Sequence, residues 1–311
     1  MKASHLSAVA VAQSRQSERR IARSALVGAG LVAIYTAMIS GADGITKLIA
    51  GGYAAPQLFA LSSALVILVA LAEGRRRGES LRLRRGRGEM ALRSLFTVLA
   101  AIGYFQAFRL LPFADVFLFI GLVPLIAAAM SGPVLDEPLR PAAWTALAFG
   151  AGGILFLLPE GRLALDPGHL WALFGTVTGT ASMVLARRIA RMERVPLAQV
   201  FWPNLALMLT MGLALPFVWQ PMALMDLVWV AGYALLLFGA RYVSAEALRL
   251  LPAYVATPLM NLQFVWMVLI GWFAFGELPG MGTVLGVAMV VGSGFWLVAD
   301  EALPSRRLAR A

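Results

Sequence analysis

The sequence contains no cysteine, only two histidines and only 14% charged residues. Without cysteine there is no disulfide and no thiolate ligand, and two histidines leave little else for a metal. No motif calls for a cofactor. His5 lies in the N-terminal tail and His169 at the start of an apolar run. No nucleophile–base or metal constellation of the kind a membrane-embedded enzyme needs is therefore visible. A Walker-type phosphate loop is absent too, which argues against ATP-driven transport by this chain. Acidic residues are scarce, 16 against 26 Lys and Arg, for a net charge of +10. The basic residues sit between hydrophobic runs and not on an amphipathic or aromatic-interleaved face, so nucleic acid is not an expected partner. Polar surface is scarcest of all: 60% of the residues are apolar. A soluble domain of this length would need far more polar surface, and lipid is the alternative solvent.

What is present is a series of long apolar runs. A bilayer core of ~30 Å needs ~20 apolar residues per helix. Ten spans satisfy this, at roughly 25–46, 56–72, 91–109, 113–134, 141–158, 168–186, 198–219, 225–247, 253–275 and 280–299. Prolines at 56, 112, 141, 196, 252 and 279 mark their boundaries, where a missing N–H costs nothing. The runs are continuous and do not alternate, so strands are a poor alternative. The basic tail before the first run could be a signal-peptide n-region. However, the run is too long for an h-region and no small-residue cleavage pattern follows, so an uncleaved span is expected. With the N-terminus cytoplasmic, 23 of the 26 Lys and Arg residues fall on the inner side. Only Lys47, Arg109 and Arg162 fall outside, which fixes the expected orientation with both termini cytoplasmic.

The chain also repeats itself. Ala107-Phe108-Arg109-Leu110-Leu111-Pro112 returns as Ala247-Leu248-Arg249-Leu250-Leu251-Pro252. At the same offset Lys47 answers Arg187, Pro56 answers Pro196, Glu137 answers Glu277 and Gly152 answers Gly292. Five spans per half is an odd number, so the second half enters the membrane upside down. The expected fold is an all-α membrane protein of ten transmembrane helices in two inverted five-helix repeats, at 25–158 and 168–299. Basic tails at 1–24 and 300–311 flank them. Inverted repeats suit alternating access to a site near the midplane.

The ordered set Leu111-Pro112-Phe113-Ala114-Asp115, Pro124, Asp136-Glu137, Gly150, Gly152 and Gly153 is one half of a pattern. The other half is Pro252-Ala253, Pro258, Gln263, Trp266, Gly271 and Phe275-Gly276-Glu277-Leu278-Pro279, with Gly286, Gly292 and Gly294 after it. Together they resemble the drug/metabolite transporter superfamily, in its ten-helix EamA-type permeases, over about residues 25–299. Asp43 with Lys47 further resembles the S-adenosylmethionine-uptake-like branch. Leu61-Ser62-Ser63 stands where similar proteins of that branch often carry an arginine. The resemblance implies secondary transport of amino acids, nucleoside-like metabolites or related small molecules. It also implies residence in a bacterial inner membrane.

Candidate site residues follow from the cost of polar groups in lipid. Asp43 and Lys47 are four apart on one helix face and could form a gate pair or a coupling-ion site. The plainer alternative is an ion pair at the interface with Lys47 reaching outward. Arg241 lies in or near a span, where a charge costs ~2.5–3.5 kcal/mol unless it faces a cavity or partner. It is either a contact for a substrate carboxylate or phosphate, or a flanking charge on the inner side. Glu246 is a coupling candidate or a local cap. Tyr35, Tyr104, Trp202, Asn204, Asn261, Gln263 and Trp266 either line an amphipathic pocket or serve as helix-to-helix hydrogen bonds and interfacial anchors. Glu137 and Glu277 read as helix N-terminus carboxylates of spans five and ten. Gly175 with Gly179 permits close helix packing; a homodimer is allowed and not required. The Arg-rich loop 75–87 reads as a topology determinant beside anionic headgroups. The expected partners are a small-molecule substrate and the bilayer. An accessory or scaffold subunit is the alternative, a membrane-embedded enzyme the more remote one.

Overall fold

The structure, a computed structural model, describes residues 27–135, 166–193, 195–250 and 262–289, with the isolated residues Thr145, Gly152, Met260 and Gly292. The described residues are helical and contain no strand. The helices are α1 (Val27–Ala50), α2 (Ala55–Arg77), α3 (Arg87–Leu110), α4 (Phe113–Ile120), α5 (Val123–Leu135), α6 (Pro167–Met192), α7 (Pro196–Val218), α8 (Leu224–Leu250) and α9 (Leu262–Phe275). A further helical stretch covers 281–289. Five of these, α1, α2, α3, α6 and α7, are long and apolar enough to cross a membrane. Span 141–158 lies largely outside the described residues, as do the start of span 253–275, the second half of span 280–299 and the two tails.

Local sequence explains the helix ends. Pro56, Pro167 and Pro196 stand in the first turns of α2, α6 and α7, where a missing donor is harmless. The Asp166 carboxylate caps α6 by accepting from the Gly168 N–H at 3.0 Å. Gly78 closes α2 in the left-handed region at φ 66°, and Arg75, Arg76 and Arg77 complement the carbonyl end.

One expected span is not continuous. The run 113–134 is broken at Gly121-Leu122 into α4 and α5. Pro124 has no N–H to donate to the Ile120 carbonyl, so the ladder cannot run through. The chain turns instead, with Leu122 N–H donating to the Phe119 carbonyl at 3.0 Å.

The helix ends meet in two groups. At one end, the Tyr53 hydroxyl donates to Asp226 at 2.6 Å and Gln57 Nε2 donates to the Gln220 carbonyl at 2.8 Å. At the other, Trp202 Nε1 donates to the Leu81 carbonyl at 2.9 Å, and Glu193 accepts from the backbone N–H groups of Arg84 and Arg85 at 2.9 and 3.1 Å. Those two donors hold the Glu193 carboxyl below the ordinary glutamate range.

Among the described residues, α3 and α6 approach each other backbone to backbone. A Cβ at Gly103 would lie 2.7 Å from Gly175 Cα, and one at Gly175 would lie 2.9 Å from Tyr104 N. Backbones this near require glycine on both sides. One apolar cluster joins the end of α3 to α4, α6 and α9 through Phe108, Phe113, Phe117 and Met267. A second joins α1, α2, α3, α7 and α8 through Ile49, Phe59, Phe105, Leu207 and Val230. Outside these clusters, large apolar side chains stand uncovered: Phe217 is 87% exposed and Leu213 77%. Water would penalise such a surface and hydrocarbon would not.

Candidate functional site

The polar groups of α1 form one stripe. Thr36, Ser40, Asp43 and Lys47 recur at helical spacing on one face, and that face meets α9. Trp266 Nε1 donates to Thr36 Oγ1 at 3.2 Å. Ser40 Oγ donates to the Gln263 carbonyl at 3.3 Å, and Gln263 Nε2 donates to Asp43 Oδ2 at 3.2 Å. Ser40 and Thr36 are fully buried. The Asp43 carboxylate thus has an amide partner inside an apolar bundle, and no ion-pair partner among the described residues.

Lys47 is one turn nearer the helix end, and it does not pair with Asp43. Its Nζ donates to the Leu111 carbonyl at 2.8 Å and lies 3.0 Å from Glu277 Oε1. The ammonium also sits 5.4 Å from the centre of the Phe275 ring, in cation–π range. The other carboxylate oxygen, Glu277 Oε2, accepts the Phe113 N–H at 2.8 Å. The expected carboxylate at a helix N-terminus is therefore present, but the helix it caps is α4, far away in sequence. Leu111 has left helical geometry just before Pro112, which frees its carbonyl to accept the lysine. Three elements meet in this knot: the end of α1, the α3–α4 turn and the turn after α9. Just beside it, Asp115 of α4 accepts from the Thr283 hydroxyl.

The remaining candidates scatter. The Tyr104 hydroxyl donates to Thr176 Oγ1 at 3.2 Å across the glycine contact of α3 and α6. Asn204 Nδ2 bonds the Val200 carbonyl of its own helix at 2.7 Å. Trp202 stands at the opposite end of the bundle from Lys47, on the Arg-rich loop. Tyr35 is half-buried on α1, around the helix from the polar stripe. Asn261 lies outside the described residues, and so do the side chains of Arg241 and Glu246 on α8. The structure thus brings Asp43, Lys47, Gln263 and Trp266 together and leaves Trp202 and Asn204 apart. Thr36, Ser40 and Glu277 complete the group and were not singled out as site residues. The spacing 36–40–43–47 is the signal that could have found the first two. Among the described residues no cluster of three His, Asp or Glu side chains could hold a metal ion.

No family profile matches the chain. A riboflavin transporter of Rhizobium johnstonii is 26% identical over 213 residues, which cover 68% of this chain and 67% of that protein. A solved crystal structure superposes on 92% of this chain and 99% of its own, with a TM-score of 0.60 and 23% identity. That likeness is one of fold alone.

Proposed function

We propose that the chain is a secondary transporter that moves a small amphipathic metabolite across a bacterial inner membrane by alternating access. The observation that carries the reading is the Lys47–Glu277–Leu111 knot, which ties three elements together one helical turn from the Asp43–Gln263 pair. A polar pair buried in lipid-solvated helices, with an ionic closure one turn away, fits a gated binding site. The likeness to a riboflavin transporter supports transport as the activity and adds flavin-type compounds to amino acids and S-adenosylmethionine-like compounds as substrates to test. Trp266 would face a planar ring, and Gln263 a hydrogen-bonding edge.

The ten-span inverted repeat remains part of the proposal. The charge bias makes the knotted end the outer one and the Arg-rich end cytoplasmic, with both termini inside. In the repeat, Lys47 answers to Arg187 and Glu277 to Glu137. The transport cycle therefore calls for a second ionic closure, Arg187 with Glu137, at the inner end. Asp43 would bind the coupling ion or a cationic part of the substrate.

The test is uptake into sealed proteoliposomes of radiolabelled riboflavin, S-adenosylmethionine and amino acids, with and without an imposed pH gradient. Saturable uptake of one class, lost in Asp43→Asn and Gln263→Leu, is the expected result. Absence of saturable uptake of every class by folded protein would sink the proposal.

A further inference from the structure

The loop between α2 and α3 is firmly built, although it is rich in arginine. Leu83 is 6% exposed and Met90 4%, packed with Ile189 and Ala198 of α6 and α7. Backbone donors of Arg84 and Arg85 fix the loop to Glu193, Trp202 ties down the Leu81 carbonyl, and Arg87 Nε donates to the Leu83 carbonyl at 3.1 Å. This folding leaves a cleft of about 640 Å³ between the loop, the start of α3 and Trp202. Its walls are of two kinds. Arg82 and Arg87 supply charge, while Leu83, Met90, Ala91 and Trp202 supply apolar surface. Among the described residues no carboxylate lines it. The neighbouring cavity of about 650 Å³ is lined by Arg82, Arg84 and Arg87, but it holds Glu79 and Glu193 as well, which offset much of that charge and weaken its pull on an anion.

The cleft opens onto an apolar face. Trp202 is 38% exposed, Leu209 55% and Leu213 77%. Their spacing of seven and eleven residues places them in one stripe along α7. Further along, Val98 of α3 and Leu207 and Met211 of α7 belong to one buried cluster, which seals the seam between the helices beneath the cleft. The result is a cationic notch at the basic end, continuous with an uncovered hydrocarbon-compatible strip.

We infer that this cleft is a binding site for an anionic membrane phospholipid, with the headgroup phosphate between Arg82 and Arg87 and an acyl chain along the Trp202–Leu209–Leu213 strip. Charge complementarity selects an anion, and the mixed lining selects an amphipath over a free ion. A tryptophan at the boundary between the two suits the headgroup level. The inference rests on the membrane location of the helices and not on any transport substrate.

The test is native mass spectrometry of the full chain released from detergent, with phosphatidylglycerol or phosphatidylcholine added. One retained phosphatidylglycerol per chain, in preference to phosphatidylcholine, is the expected result. Binding should weaken at least about tenfold in Arg82→Ala/Arg87→Ala. It should weaken similarly in Ala91→Trp, which fills the cleft and changes no charge, so the test survives if the double variant fails to fold. Arg75→Ala/Arg76→Ala removes the same charge outside the cleft and should bind normally. Equal loss in that control would reduce the effect to diffuse surface attraction and overturn the site. Equal retention of both lipids, or displacement of phosphatidylglycerol by inorganic phosphate, would overturn it as well; the latter would assign the cleft to a free anion.

Discussion

Removing the Lys47 ammonium should open the knotted end of the bundle. Lys47→Ala deletes a charge-assisted hydrogen bond to the Leu111 carbonyl and an ion pair to Glu277. Hydrogen bonds to charged groups are worth about 1.5–3 kcal/mol each, and an exposed ion pair about 1 kcal/mol or less. The pair here is intermediate, with the lysine side chain 12% exposed and the glutamate 31%. A net loss of about 2 kcal/mol from the closed state shifts its balance with an open state about 30-fold. Glu277 keeps the Phe113 N–H, so the carboxylate is not orphaned. The chain has no native cysteine, so a single reporter is easily placed. In Ser40→Cys, a fully buried position on the polar stripe, reaction with a membrane-impermeant maleimide should be slow. Adding Lys47→Ala should speed it about 30-fold, in line with that shift. Glu277→Ala should give a similar gain. The double variant should add little to either single one, because both break the same contact. Unchanged labelling in both single variants would refute the closure argument. Full additivity would show that the two residues act separately.

Three further outcomes follow from the geometry. Gly103→Val and Gly175→Val each drive a side chain into opposing backbone, so each should cost about 1–3 kcal/mol in thermal unfolding in detergent. Gly30→Ala, with nothing within 4 Å, should cost none of this. The Glu193 carboxyl titrates below its ordinary range because it accepts two backbone N–H groups. Its contribution to stability is therefore complete above the unfolded value of about 4.3 and fades as pH falls through the lower folded value. Melting temperatures from pH 6 down to pH 3 should lose this component in Glu193→Gln. Finally, Trp266→Phe removes the donor to Thr36 and keeps the ring. It should raise the KM for uptake more than it lowers the maximal rate, whereas a residue with only a packing role would leave the KM unmoved.

Much of the helix layout was legible because lipid-solvated helices must be long, apolar and bounded by polar or proline residues. Of the expected boundary prolines, Pro56 and Pro196 stand in the first turns of their helices and Pro112 directly precedes α4. The site was legible only along single helices. The stripe from Thr36 to Lys47 obeys helical spacing, but its partners come from sequence more than 200 residues away, as Gln263 does for Asp43. No local pattern reveals such a partner. The i, i+4 pairing of Asp43 with Lys47 looked natural on one helix face. It lost to Glu277 because the lysine reaches past the helix end, where a carboxylate and a bare carbonyl wait together. The break at Gly121-Leu122 was legible in principle from Pro124, but a run of apolar residues hid it.

That break has a mechanical consequence. At 1.5 Å per residue, α4 with its 8 residues is about 12 Å long, and α5 with 13 is about 20 Å. Neither piece alone is long enough to cross a hydrocarbon layer of ~30 Å. One piece, α4, is bolted to the Lys47–Glu277 knot through the Phe113 N–H. The other, α5, packs against α6. A continuous rod would carry any tilt at one end straight to the other. With the ladder interrupted at Gly121-Leu122, a tilt of the bolted piece need not be carried whole to its continuation.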